Sequence, residues 1–119
     1  MGKHNEFGKE GEEMAKNYLI KKGYKICYQN YRYLKGEIDI VARKDDILAI
    51  VEVRSRSSKF IENIAETVTQ KKIKLLVATA DHYVTSRELD VDTRFDIITI
   101  FKEGGNLEIE HLESAYYYF

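Results

Sequence analysis

Three acidic side chains, Glu37, Asp39 and Glu52, stand in a stretch that otherwise reads as apolar strand, GEIDIVARKDDILAIVEVR from residue 36 to 54. The isoleucines and valines predict two strands, Glu37–Arg43 and Ile47–Arg54, joined through Lys44-Asp45-Asp46. Strand residues two apart share a face. Glu37 and Asp39 are therefore expected on one side with Ile38 and Ile40 on the other, while Glu52 and Arg54 lie opposite Val51 and Val53. Counting back from the turn puts Asp39 and Glu52 on nearly level rungs. Two carboxylates brought that close repel unless a cation or a shared proton intervenes. A hard divalent cation among carboxylate oxygens is the simplest compensation. From the strands alone, an edge hairpin with its acids in water and Arg54 as ion-pair partner fits equally well.

The elements that must position these acids carry two anomalies of their own. A helix is predicted over residues 9–22, and Glu12 sits three and seven residues before Ala15 and Leu19, on the stripe facing the sheet. A second, longer helix is expected from about Ile61 to Tyr83. There Val68, Lys72 and Leu76 follow four-residue spacing, so Lys72 interrupts an apolar stripe, whereas Lys71 and Lys74 read as solvent-facing. A long aliphatic stem lets lysine snorkel from such a position, but an inward glutamate needs a partner. Glu12, Asp39, Glu52, Arg54 and Lys72 can then converge on one edge of the sheet.

Around these segments, YKICYQNYRYL predicts a first strand, RSRSSKF a polar linker, and Arg94–Phe101 and Leu107–Leu112 two last strands flanking Glu103-Gly104-Gly105-Asn106. The order helix, three strands, helix, two strands points to an α/β fold, a mixed central sheet flanked by helices. At 119 residues, with 44% hydrophobic and 33% charged residues, the chain is expected to be a single domain, 1–119. No apolar run suits a membrane span or a signal peptide, and the lone Cys27 suits a reducing compartment; cytoplasmic residence is the expectation. His4, His82 and His111 are scattered, and no Cys/His spacing supports zinc. Formal net charge is −1, which disfavours a protein that coats nucleic acid. The distribution is uneven, however. Residues 54 to 74 hold six basic side chains against Glu62 and Glu66, enough for a local phosphate-binding surface.

Taken in order, Gly8-x-x-Gly11-Glu12-x-x-Ala15, Gly36-Glu37-Ile38-Asp39, Val51-Glu52-Val53-Arg54 with Arg56, Val68 to Lys72, and Arg94-Phe95-Asp96 make the sequence similar to the YraN-like family of predicted endonucleases. That family itself resembles archaeal Holliday-junction resolvases and the restriction-endonuclease-like fold. The resemblance implies hydrolysis of DNA phosphodiesters with Mg²⁺, or Mn²⁺ in its place. Asp39 and Glu52 would hold the ion and Glu12 would supplement them, with Glu37 in a supporting role. Arg56, Lys59 and Lys71 would contact phosphates. The chain departs from the pattern at one position: the family's usual lysine two residues after the second strand acid is Arg54, which remains charged and cannot serve as a base. Lys72 is the candidate to supply the missing amine.

Two other functions are compatible with the residues. One is a non-catalytic nucleic-acid-binding relative that retains the acidic pocket. The other is a protein-interaction module using the terminal Tyr116, Tyr117, Tyr118 and Phe119. The resemblance to resolvases leaves a homodimer open, and no membrane partner or organic cofactor is expected.

Overall fold

Residues 25 to 56 alternate β-branched and aromatic side chains between two tight turns, and they fold as an antiparallel meander of three strands. The computed structural model describes residues 2–56 and 69–116. The elements are α1 (Gly2–Lys21), β1 (Lys25–Tyr33), β2 (Gly36–Lys44), β3 (Ile47–Arg56), α2 (Gln70–Ser86), β4 (Asp92–Glu103) and β5 (Asn106–Leu112). Their strands form one sheet in the order β1-β2-β3-β4-β5. All neighbours are antiparallel except β3 and β4, which run parallel. A parallel pair needs a crossover, and α2 lies within it.

Each helix covers one face of the sheet. Ala15 and Leu19 of α1 pack with Ile40, Ala42, Val51 and Ile98, all buried. Ile73, Leu76, Ala80 and Tyr83 of α2 pack with Ile38, Val41, Ile50 and Ile97 on the other. Two faces buried by two helices explain why the strands read as nearly continuous apolar runs. The arrangement is that of the restriction-endonuclease-like fold, as expected.

The boundaries differ from expectation in three places. Helix α1 begins at Gly2, not at residue 9, running through Gly8 and Gly11. Glycine costs about 1 kcal/mol inside a helix, but Gly11 permits close docking: a Cβ there would meet Ser55 Oγ and come within 3.4 Å of Ile100 Cγ1. Strand β3 continues into the expected linker as far as Arg56, because Arg54, Ser55 and Arg56 pair in parallel with Thr99, Ile100 and Phe101. Helix α2 runs from Gln70, capped by Thr69 Oγ1 accepting the Lys72 N–H, to Ser86, three residues beyond Tyr83. The expected helical residues 61–68, with Val68, lie outside the described residues.

A fourth difference bears on the site. Ile38 packs on the α2 side and Ile40 on the α1 side, so the two do not share a face. The two-residue alternation of β2 therefore breaks at Asp39.

Candidate functional site

The break in β2 coincides with the end of its ladder to β3. The last paired residues toward the site are Ile40 and Val51, and continuing that register by one step sets Asp39 opposite Glu52. Here the strands part, and the Asp39 carboxylate replaces a backbone acceptor: its Oδ2 accepts the Val53 N–H at 2.8 Å. The level placement expected from the sequence is therefore met.

Burial dominates the electrostatics of Asp39. Its pKa is pushed up from 3.8 to about 6, first by desolvation. The Val53 N–H opposes this, while the charges of Glu12, Glu52 and Glu37 add to it. Glu12, on α1, also has its pKa raised, by burial and then by Glu37. Among the described residues, however, no group of three His, Cys, Asp or Glu is compact enough to hold a metal ion. Glu12 acts on Asp39 through its charge.

Glu52 is placed differently. Its side chain is 11% exposed and carries a cation on each oxygen: Lys72 Nζ donates to Oε1, and Arg54 Nη2 lies 3.3 Å from Oε2. Lys72 comes from the first turn of α2, so the interruption in that helix's stripe is the point at which the helix reaches the strand acid. Asp39, Glu52, Glu37, Lys35, Lys71 and Lys72 all line one cleft of about 370 Å³. Gly36 forms part of its wall, and a Cβ there would meet Thr79 Oγ1 and come within 2.8 Å of the Leu75 carbonyl. Glu37 pairs with Arg32 at 2.6 Å on the exposed side of the hairpin. Arg56 is half-buried at the end of β3, whereas Lys59 lies outside the described residues.

Two further polar constellations join residues that the sequence did not connect. Asp96 is fully buried. It accepts from Arg94 Nε at 2.9 Å and Nη2 at 2.8 Å and from the Ser114 N–H, and it lies 2.8 Å from His111 Nε2. These bonds hold its carboxyl below the ordinary aspartate range against the opposing effect of burial. Arg94 also donates to Tyr24 Oη, and His111 Nδ1 lies 3.1 Å from Tyr18 Oη, so the network ties α1 and β5 to β4. Arg94-Phe95-Asp96 is therefore a structural motif, two residues apart on one strand face. His82, on α2, stacks on Tyr33 with ring centroids 3.8 Å apart and planes within 9°. Tyr116 is buried against Phe95, so at least one of the terminal aromatics packs on the domain; Tyr117, Tyr118 and Phe119 lie outside the described residues.

A five-stranded mixed sheet with a helix on each face is compatible with the restriction-endonuclease-like α/β fold. The family model described as "Uncharacterised protein family UPF0102" matches residues 11–100. The chain is 46% identical to UPF0102 proteins of Flavobacterium psychrophilum and Christiangramia forsetii, over 119 residues and the whole of both chains. It is 45% identical to one of Phocaeicola vulgatus over 117 residues, 98% of this chain and 97% of that one. This protein belongs to the UPF0102 family, the YraN-like family indicated by its motifs.

Proposed function

We propose that this protein is a divalent-metal-dependent endonuclease that hydrolyses DNA phosphodiesters. The observation that carries the reading is the half-buried Asp39, one step beyond the last β2–β3 pair and level with Glu52, in a cleft rimmed by Lys35, Lys71 and Lys72. An acid at this position is costly to the fold, since desolvation and three neighbouring acids disfavour an ionised Asp39.

The donor set suits a hard cation. Asp39 and Glu52 offer only carboxylate oxygens, and Mg²⁺ is commonly held by one or two carboxylates with water completing its shell. Two protein ligands are thus enough, and Glu12 would tune Asp39 from the other side of the sheet. When bound, the ion supplies Lewis acidity toward the phosphate and a lowered pKa for an attacking water. The chain's own residues do the rest. Arg54 stays cationic and holds Glu52 by one oxygen, so it can stabilise charge but cannot take a proton. Lys72 carries an exchangeable amine at the other oxygen of Glu52 and would supply the amine that Arg54 cannot. Lys35 and Lys71 are exposed along the rim and would hold the phosphate backbone without reading sequence.

A second reading is favoured by one feature: both oxygens of Glu52 already carry a protein cation. A site neutralised in this way could bind DNA with no metal and no cleavage. Incubation of labelled nicked, flapped and four-way DNA with Mg²⁺ decides between them. Under the nuclease reading the wild type cleaves, and D39N and E52Q each lose about 10²-fold or more of the rate. Cleavage that survives both substitutions or chelation would sink the nuclease reading. Binding that depends on salt, is indifferent to Mg²⁺ and comes without cleavage would establish the second.

A further inference from the structure

The hairpin beside the cleft turns through Leu34 and Lys35, between the paired Tyr33 and Gly36. The φ angle is +54° at Leu34 and not positive at Lys35. That is the sign pattern of a type II′ turn, whose first central position normally takes glycine. A leucine in this left-handed region crowds its own backbone, and such strain concentrates at functional sites. The fold gains no burial in return, because Leu34 is 85% exposed, more than any other large hydrophobic side chain among the described residues. A singly exposed leucine is ordinary on a protein surface. One that occupies a glycine position on a hairpin tip beside the cleft of Asp39 and Glu52 is not.

The tip is also held firmly. Tyr33, before the turn, stacks on His82 of α2, and Gly36, after it, lies so close to α2 that a Cβ would come within 2.8 Å of the Leu75 carbonyl. Lys35, the second turn residue, lines the cleft together with Asp39 and Glu52. An apolar side chain thus projects into water from a rigid support, one residue from the cleft.

We infer that Leu34 is a wedge that lies against the exposed base-pair face at a branch or flap in DNA and so sets the discontinuity beside Asp39 and Glu52. The inference rests on the nucleic-acid reading above and names its substrate class. Apolar side chains inserted at base steps must unstack them, and the cost is least where stacking is already broken. An uninterrupted duplex offers Leu34 no such face. Lys35 and Lys71 are placed to take the flanking phosphates, whose negative charge complements the rim.

The test compares binding of a flapped duplex and an uninterrupted duplex of equal length, with 2-aminopurine at the branch, by wild type, L34G and L34M. L34G relieves the backbone conformation, so its thermal midpoint should equal or exceed that of wild type, and a loss of binding cannot then be ascribed to misfolding. The expected result is a preference for the flap of roughly tenfold in wild type and L34M, with a rise in 2-aminopurine fluorescence, both lost in L34G. Uninterrupted-duplex affinity should stay constant. An unchanged preference in L34G, or binding to neither DNA, overturns the wedge. Mg²⁺-dependent cleavage with no effect of Leu34 would leave the nuclease standing without the wedge. A Leu34-dependent preference without cleavage would leave the wedge standing on a non-catalytic protein.

Discussion

At Asp39 a stability effect and the proposed chemistry fall on one side chain. Its folded pKa, about 6, lies above the ordinary 3.8, so the folded state holds its proton more tightly than the unfolded chain does. The stability this provides is complete below about pH 4 and is lost as pH rises through 6. Replacing Asp39 with asparagine should therefore stabilise the protein at pH 7, by at most about 3 kcal/mol at 1.36 kcal/mol per unit. The gain should shrink toward zero by pH 4; urea titrations at pH 4, 5.5 and 7 measure it. Asp96 has the opposite sign. Its pKa is lowered by His111, Arg94 and Ser114, so its contribution is present at neutral pH and lost only as the medium becomes more acid than the ordinary aspartate range. Asp96→Asn should cost about 3–5 kcal/mol, because it leaves Arg94 without its buried partner. Lys72 makes a third case. With its ammonium removed from Glu52, calorimetry should show K72A binding Mg²⁺ or Mn²⁺ about fivefold more tightly than wild type, the equivalent of about 1 kcal/mol. Its cleavage rate should nonetheless fall. Weaker metal binding in K72A would remove the argument that the amine and the ion compete for Glu52.

Among the elements, the contact between the β1–β2 hairpin and α2 is set by a missing side chain. Gly36→Ala places a Cβ against Thr79 Oγ1 and the Leu75 carbonyl. Thr79→Ala can relieve the first contact but not the second, which is backbone. G36A should cost about 1–3 kcal/mol, and the double variant G36A/T79A should recover only part of the loss in the same urea titration. This scale also shows what the sequence could reveal. The two acids of the hairpin, their level rungs and the lysine of α2 that meets them were all legible, because turn position and helical spacing are local properties. The switch of face at Asp39 was not, since a regular period of two cannot announce its own interruption. The start of α1 was hidden by Gly8 and Gly11, whose poor helix propensity is offset at Gly11 by tertiary packing. The Asp96 network was illegible for another reason: its partners come from positions as distant as Tyr18 and Ser114.

At the scale of the whole molecule, a net charge of −1 means that any hold on DNA must be local. Lys35 and Lys71 line the cleft, while Lys72 is taken up by Glu52. Two phosphate contacts would give a slope of about −2 in log affinity against log salt, by the 0.9 per phosphate of B-DNA. A slope near −8 would show that a much larger surface is used. None of the described helices is long and apolar enough to cross a membrane.

The order of the strands in space repeats their order along the chain, with only β3 and β4 joined by a crossover. This has a consequence in time. Contacts between residues close in sequence lose little chain entropy, so the β1–β2–β3 meander is the part that can form early, and Asp39 and Glu52 meet within it. Lys72 arrives only when α2 docks. Substitutions in the meander, such as Val41→Ala, should therefore slow refolding, whereas Leu76→Ala in α2 should chiefly speed unfolding. Stopped-flow measurements against urea separate the two limbs, and equal effects on both would show that helix and meander come together in a single step.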